Sequence, residues 1–239
     1  LDITKFYESV PHAQIKAAWI ELLKVHALPI AEYRAFRAIT RFTYVEKQTL
    51  NSRLLSLRQS TQFPDRRTMK SKICTTSEFR ELRSQKDQPS LLITNTQAHG
   101  IPQGTALSNV LTNALMLPVD RLMNQRAKAL DASYRRYCDD TLIIGTQSAV
   151  DELEAMFFKQ VEALQMEVHT AFPKRTVATF LRQPDDRLQL EDPNRLMHYL
   201  GFTFDGETIL LRSTTVSRYY QRMARAVRSA KRKAERAQL

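Results

Sequence analysis

The sequence predicts an α+β fold: a small antiparallel sheet backed by helices and followed by a basic helical segment. Two patterns predict this class. Apolar residues recur at spacings of three and four in several segments, and short apolar runs lie between them in irregular alternation. The chain has 239 residues, 43% of them apolar and 26% charged, so it can bury a substantial core. We expect one domain over 1–211, with an irregular insertion at about 47–97, and a basic helical segment over 212–239.

In the first half of the chain, prolines separate the predicted elements, because proline ends or begins regular structure. A period of two predicts a strand, and spacings of three and four predict helices. The polar, basic stretch that follows shows neither period over most of its length. The predicted elements are a strand over 1–10, helices over 15–26 and 29–45, and an irregular connection over 47–97 with a short helix near 77–84.

The second half begins with a compact turn at 99–104, which contains two of the chain's five glycines. Its later segments alternate between amphipathic helices and short strands. The predicted elements are a long helix bent at Pro118, a hairpin over 134–145 whose bend lies at its two aspartates, a helix capped by Ser148, strands over 172–181 and 197–211, the latter joined at Asp205 and Gly206, and a basic helix from Ser213.

The charge balance predicts a polyanionic partner. The chain carries 36 basic and 25 acidic residues, a net charge of +11, so nucleic acid is the first candidate. An anionic membrane is the rival, but a membrane-surface helix needs an apolar face with aromatic anchors, and the only tryptophan, Trp19, lies elsewhere. No apolar run approaches the length of a bilayer span, and no secretory signal is visible. The two cysteines suit a reducing compartment. We therefore expect a cytoplasmic protein without a membrane partner. The residues expected to contact phosphates are Arg218, Arg222, Arg225 and Arg228.

Asp139 and Asp140 are adjacent, and their repulsion has to be offset. Two unit charges about 4 Å apart repel by roughly 4 kcal/mol at an effective dielectric near 20, and a divalent cation would offset this. If the sheet places Asp2 beside the hairpin, three carboxylates converge into a hard-oxygen site suited to two Mg²⁺ ions. An Asp-Asp pair alone indicates little, since Asp185 and Asp186 form another, which we interpret as a solvated turn.

Five short motifs follow one another along the chain. They are L-D-I-T-K-F-Y-E-S-V-P at 1–11, G-I-P-Q-G-T-A at 100–106, Y-C-D-D at 137–140, P-K-R-T at 173–176 and H-Y-L-G-F-T-F at 198–204. In this order, over nearly the whole chain, they resemble the palm and the start of the thumb of a reverse transcriptase. The resemblance implies a right-hand polymerase palm followed by a basic helical thumb.

The resemblance also implies a role for individual residues. Metal ligands would be Asp2, Asp139, Asp140 and the backbone carbonyl of Ile3. The incoming nucleotide would meet Gln103, Gly104 and Tyr7, the last as an aromatic gate against a ribose 2′-hydroxyl. Lys174, or Arg175 if the motif is shifted by one, would assist the departure of pyrophosphate. The primer grip would consist of Tyr199, Leu200 and Gly201.

The implied activity is RNA-directed DNA synthesis, in which a DNA or RNA primer on an RNA template is extended with deoxynucleoside triphosphates. Two Mg²⁺ ions are the implied cofactors, with Mn²⁺ as a substitute. The ending of the chain is most similar to the defence-associated or abortive-infection branch, rather than to retron or group II intron enzymes, which adds a structured non-coding RNA or an accessory defence protein as candidate partners.

Part of the polymerase pattern is missing, and two other functions stay open. The family's fingers precede the first motif, so we expect the chain to be part of a longer polypeptide or to receive those contacts from another chain. One alternative is an RNA-dependent RNA polymerase, which Tyr7 disfavours. The other is an RNA-binding scaffold without turnover, which the intact carboxylates disfavour.

Overall fold

The structure is a computed structural model, and it describes residues 1–60 and 73–237. The chain divides into two compact units. The first unit is Lys5–Leu117, and the second unit is Leu1–Thr4 together with Pro118–Leu239. The opening four residues therefore belong to the unit formed by the second half of the chain. No helix in the described ranges is long and apolar enough to cross a membrane.

The first unit is mainly helical. Its elements are α1 (Phe6–Ser9), α2 (His12–Leu23), α3 (Ile30–Thr40), β1 (Thr43–Tyr44), α4 (Lys47–Ser60), α5 (Thr76–Ser84), β2 (Ile93–Thr94) and the beginning of α6 (Ala106–Ala129). Strands β1 and β2 pair antiparallel, with Thr43 opposite Thr94. Helix α6 continues into the second unit at Pro118.

A leucine cluster forms the core around α4 and α5. Its buried members are Leu50, Leu54, Leu57, Leu82 and Leu91. The three leucines of α4 recur at spacings of four and three, so they share one face of the helix. Thr75 and Glu78 form a capping box at the start of α5, and Arg58 Nε donates a hydrogen bond of 2.7 Å to the buried Glu78 carboxylate.

The second unit combines helices with small antiparallel sheets. Its elements after α6 are β3 (Ser133–Tyr137), β4 (Asp140–Ile144), α7 (Gln147–Ala163), β5 (Phe180–Arg182), β6 (Leu188–Leu190), β7 (Met197–Tyr199), β8 (Phe202–Phe204), β9 (Ile209–Leu211) and α8 (Ser213–Ala237). The strands pair as β3–β4, β5–β6 and β7–β8–β9. Phe157 of α7 packs against Tyr134 of β3, with ring centroids 6.3 Å apart, and Leu153 and Val161 are buried on the same helix.

The fold class predicted from the sequence, α+β with small antiparallel sheets, is confirmed. The predicted division into a palm over 1–211 and a thumb from 212 stays a prediction. Helix α5 confirms the short helix near 77–84, and α8 confirms the helix from Ser213. The pairing of β8 with β9 confirms two strands joined through Asp205 and Gly206.

Two predictions for the first half are wrong. The strand over 1–10 is limited to bridges at Asp2 and Ile3, because Lys5 adopts a left-handed conformation (φ 46°) and the chain turns into α1, where Phe6 is buried. Part of the connection over 47–97 is helix α4, because its leucine face is covered by the rest of the cluster although most of its other residues are polar. The part of this connection at 61–72 lies outside the described residues.

Three boundaries in the sequence prediction also differ. Helix α3 ends at Thr40, since the chain then forms β1. Thr146 rather than Ser148 caps α7, and its side chain accepts the Ala149 N–H. The strand expected over 172–181 is present only as β5, because the chain forms a turn at 171–175, where the Lys174 and Arg175 N–H groups donate to the Ala171 carbonyl.

Candidate functional site

The opening segment of the chain lies beside strand β4. Asp2 and Asp140 form an antiparallel bridge, the Ile3 N–H donates to the Asp139 carbonyl at 3.3 Å, and the Thr141 N–H donates to the Leu1 carbonyl at 2.9 Å. The structure therefore brings Asp2 next to the two hairpin aspartates, although about 137 positions separate them in the sequence.

The other edge of the same segment is also paired. The Thr4 N–H donates to the Glu167 carbonyl at 2.7 Å, and the His169 N–H donates to the Asp2 carbonyl at 2.9 Å. Ile3 is 1% exposed, and its bridge partner Val168 is buried as well. Hydrogen bonds on both edges and a buried apolar anchor fix the backbone of Asp2.

The hairpin turn consists of Cys138 and Asp139, and Asp140 is the first residue of β4. The sequence prediction placed the bend at the two aspartates, and the structure moves it one residue towards the N-terminus. Cys138 has φ 55°, a left-handed conformation that costs a residue with a side chain roughly 1–2 kcal/mol. The turn therefore needs support from its surroundings.

The carboxylates influence one another electrostatically. Burial raises the pKa of Asp139, and the neighbouring Asp2 carboxylate adds to that rise against the opposing effect of a backbone hydrogen bond. Burial also raises the pKa of Asp140, and the charges of Asp139 and Asp2 raise it further. Removing these groups from water and placing like charges together both disfavour the ionised form. A cation at this position would oppose both effects, because it stabilises the ionised carboxylates.

One cation is already present on the chain. The Lys174 ammonium forms an ion pair with the Asp2 carboxylate, and this hydrogen bond raises the pKa of Lys174. The Asp2 side chain is 7% exposed, whereas the Lys174 side chain is 59% exposed. Lys174 therefore approaches a buried carboxylate from the solvent side.

Arg175, the alternative to Lys174 in the sequence prediction, has a different partner. Its guanidinium makes two hydrogen bonds, of 2.6 and 2.8 Å, to the Glu154 carboxylate of α7. The N–H groups of Lys174 and Arg175 both donate to the Ala171 carbonyl, which closes a turn. Of the two basic residues, Lys174 is therefore the one directed to the aspartates, and Arg175 ties its turn to α7. Sequence reasoning did not single out Glu154.

A cavity of about 860 Å³ lies beside this cluster within the second unit. Its wall includes Asp2, Asp140, Lys174 and the predicted primer-grip residues Tyr199, Leu200 and Gly201. Leu200 and Gly201 have φ values of 48° and 85°, as a two-residue hairpin turn between β7 and β8 requires. The structure thus places two of the predicted metal ligands, Asp2 and Asp140, around one cavity with the predicted lysine and the predicted primer grip.

The predicted nucleotide-binding residues belong to the first unit. Tyr7 lies in α1, and its hydroxyl donates a 2.7 Å hydrogen bond to the Asn109 side chain. Gln103 and Gly104 lie in the turn before α6, and Gly104 has φ 88°. The Ile101 N–H donates to the Tyr7 carbonyl at 2.8 Å, which connects this turn to α1. Their predicted roles remain predictions.

Helix α8 carries most of the net charge of the chain. It contains eight basic residues and one acidic residue, so its net charge is +7 against +11 for the whole chain. Its predicted phosphate-contacting residues Arg218, Arg222, Arg225 and Arg228 are all exposed. Tyr219, Tyr220, Met223 and Val227 form an apolar stripe on the same helix, and they are exposed too.

The donor chemistry of the aspartate cluster fits Mg²⁺, because carboxylate oxygens are the ligands that hard divalent cations prefer. In the described part of the chain, however, no three acidic, histidine or cysteine side chains already surround a common point. The Lys174 ammonium contacts one oxygen of the Asp2 carboxylate, so a metal ion at that oxygen would compete with Lys174.

No protein-family model and no curated protein matches this chain significantly. The resemblance of its motifs to reverse transcriptases therefore remains a basis for proposals.

Proposed function

We propose that this chain is the palm and the start of the thumb of an RNA-directed DNA polymerase. The observation that carries the proposal is the backbone pairing of Asp2 with Asp140 and of Ile3 with Asp139, which makes neighbours of three aspartates from distant parts of the sequence. Raised pKa values at Asp139 and at Asp140, which lines the cavity, support it, because perturbed carboxylates beside a cleft are typical of functional sites.

The proposed reaction is attack of a primer 3′-hydroxyl on the α-phosphate of a deoxynucleoside triphosphate. Asp2, Asp139 and Asp140 would hold two Mg²⁺ ions, or Mn²⁺ in their place, with the Ile3 carbonyl as a further ligand. Bound there, the ions would neutralise charge on the attacking and leaving oxygens. Catalysis would then depend on positioning and charge neutralisation, without a covalent enzyme intermediate.

Lys174 has the chemistry to assist the leaving group. Its pKa is raised by the hydrogen bond to Asp2, so it is a cation throughout the neutral pH range. An exposed ammonium on a flexible stem can leave Asp2 and follow the negative charge of a departing pyrophosphate. Tyr7 would select against a ribose 2′-hydroxyl, Gln103 and Gly104 would lie along the incoming nucleotide, and Tyr199, Leu200 and Gly201 would support the primer end.

The proposed partners are an RNA template and a DNA or RNA primer, and the charge of α8 supports a polyanionic partner. We propose a cytoplasmic bacterial setting, in a mobile element or in antiviral defence, on the basis of the motif resemblance. A structured non-coding RNA or an accessory defence protein would be an additional partner in that setting.

Primer extension tests this proposal, with the chain expressed within its full natural polypeptide. Wild type should extend an RNA-templated primer with dNTPs and Mg²⁺, and Asp139→Asn should reduce the product by at least about 10³-fold. Asp185→Asn, in the second Asp-Asp pair, is the matched control and should extend like wild type. Equal extension by wild type and Asp139→Asn would contradict the proposal.

Two further arms separate the alternatives. Preferential incorporation of NTPs over dNTPs would indicate an RNA-dependent RNA polymerase. If wild type binds RNA but does not extend a primer, the result would indicate an RNA-binding scaffold without turnover.

A further inference from the structure

The hairpin turn that carries Asp139 is held by a buried arginine. Arg136 Nη1 donates a 2.7 Å hydrogen bond to the Cys138 carbonyl, and the Arg136 side chain is only 5% exposed. A guanidinium buried to this extent needs a counter-charge, because an unpaired buried cation is costly. Asp120 of α6 provides it: Arg136 Nε and Nη2 donate to its two carboxylate oxygens at 2.8 and 2.6 Å.

The Cys138 carbonyl is a sensitive point of the turn. It belongs to the peptide group that joins Cys138 to Asp139, so its direction sets the plane from which the Asp139 side chain starts. The left-handed conformation of Cys138, with φ 55°, persists only where the surroundings fix it. A charged donor on that carbonyl is such a constraint, since charge-assisted hydrogen bonds are about twice as strong as neutral ones.

A third residue completes the network. The Tyr134 hydroxyl donates a 2.9 Å hydrogen bond to the same Asp120 oxygen that accepts from Arg136 Nε. Tyr134 is 2% exposed, and its burial keeps it in the protonated, donating form. Asp120 therefore accepts three hydrogen bonds from β3 and holds Arg136 in one orientation.

We infer that Asp120 and Arg136 are positioning residues that direct the Asp139 carboxylate into the proposed metal site. The inference rests on the proposed function. Neither residue needs to touch substrate or metal: Asp120 fixes Arg136, Arg136 fixes the Cys138 carbonyl, and the peptide group of Cys138 fixes the direction of Asp139. Partners of this kind, one step removed from the ligands, typically contribute 10- to 100-fold to metal affinity or activity.

The neighbouring arginine provides a matched control. Arg135 is exposed and precedes Arg136 on β3, where successive side chains point to opposite faces. Arg136→Lys and Arg135→Lys are therefore the same chemical change on the same strand. Only the first removes the paired hydrogen bonds to Asp120 and the bond to the turn, because lysine cannot make the forked contact. Asp120→Asn is a second variant, which keeps the side-chain shape but removes the counter-charge of Arg136.

The first readout is hydrogen exchange of backbone amides over 137–141, which does not depend on catalysis. Arg136→Lys and Asp120→Asn should each exchange roughly tenfold faster there, and Arg135→Lys should behave like wild type. Thermal unfolding of each variant checks that it is folded. If Arg136→Lys fails to fold, hydrogen exchange in Asp120→Asn still tests whether the pair fixes the turn. Exchange in the turn that matches the Arg135→Lys control would overturn the inference.

The second readout separates positioning from general damage. Mn²⁺ affinity, followed by the electron paramagnetic resonance signal of the free ion, should fall about 10-fold in Arg136→Lys, and kcat for nucleotide addition should fall by about 10- to 100-fold. KM for the dNTP should stay within about twofold, because Asp120 and Arg136 do not contact it. Wild type that neither binds Mn²⁺ nor extends a primer would refute the proposed function, and hydrogen exchange would still decide whether the pair fixes the turn. Unchanged Mn²⁺ affinity and kcat in an active enzyme would overturn the positioning role.

Discussion

The ion pair between Lys174 and Asp2 leads to a prediction that separates metal binding from catalysis. Lys174→Met keeps an unbranched, flexible apolar stem but removes the ammonium. Because this ammonium occupies a carboxylate that a metal would need, we expect Lys174→Met to bind Mg²⁺ more tightly than wild type and to turn over more slowly. The two quantities should therefore move in opposite directions.

The size of the first effect follows from the exposure of the pair. Exposed ion pairs contribute about 0.2–1 kcal/mol. Here one partner is 59% exposed and the other 7%, so we take a value near the upper end, about 1 kcal/mol. At about 1.4 kcal/mol per tenfold change, Mg²⁺ affinity should rise about fivefold. The hydrogen bond to Asp2 raises the pKa of Lys174, so its charge is complete below its ordinary pKa of 10.5 and is lost only as pH rises through the folded pKa. The difference in Mg²⁺ affinity between Lys174→Met and wild type should therefore be constant across neutral pH.

The assay is a calorimetric Mg²⁺ titration of the metal-free protein at fixed ionic strength, with single-nucleotide turnover measured in parallel. Arg182→Met is the control, because Arg182 also lines the cavity but is paired with Asp186. It removes one positive charge without freeing Asp2, and its Mg²⁺ affinity should change by less than about twofold. Weaker Mg²⁺ binding in Lys174→Met, or an equal gain in Arg182→Met, would refute the competition between ammonium and metal.

Three further predictions concern stability and nucleic-acid binding. Burial raises the folded pKa of Asp139, so its ionisation opposes folding at neutral pH and ceases to do so as pH falls below its ordinary pKa of 3.8. Asp139→Asn should therefore raise the free energy of unfolding of the metal-free protein at neutral pH, measured by urea unfolding. The hydrogen bond from Arg58 lowers the pKa of Glu78 from 4.5 to about 2, so this carboxylate should contribute on the order of 3 kcal/mol above pH 4.5, lost as pH falls towards 2. Glu78→Gln should remove that pH dependence in acid unfolding curves, and an unchanged curve would contradict the assignment. If α8 makes about 6–10 phosphate contacts, RNA affinity should fall roughly 10³- to 10⁵-fold between about 50 and 200 mM salt in anisotropy titrations, and glutamine at Arg218, Arg222, Arg225 and Arg228 should flatten that dependence.

The sequence was sufficient for the fold class and for most helices because these depend on local periodicity. The sequence did not predict α4, because most residues between its leucines are polar and the helix depends on contacts with Leu82 and Leu91. The spacing of Leu50, Leu54 and Leu57 was the available signal. The prediction of a strand over 1–10 failed for a different reason. The left-handed conformation of Lys5 ends the extended segment, and nothing in the local sequence specifies that conformation.

For the candidate site, the sequence supplied the residue types and the structure supplied the pairing. Motif order suggested that Asp2 meets the hairpin, but it gave no indication that 167–169 would cover the other edge of the opening segment. Asp120, Arg136 and Glu154 were missed because each acts through a partner distant in sequence. Arg136 lies directly before the Y-C-D-D box on the same face of β3 as the buried Tyr134, and that alternation was a usable signal.

The two cations near the aspartates differ in a way that suits different tasks. Arg136 is buried, makes two hydrogen bonds to the Asp120 carboxylate and donates a third to the Cys138 carbonyl. Its loss should therefore destabilise the hairpin turn, in which Cys138 has an unfavourable left-handed conformation. Lys174 is exposed and makes one ion pair on a flexible stem, so it can be displaced at little cost. Under the proposed function, the site would receive and release metal and nucleotide, so it would need fixed carboxylate directions and a counter-charge that can move. The division between a fixed arginine and a displaceable lysine meets both needs, and exchanging the two residue types would be expected to lose both.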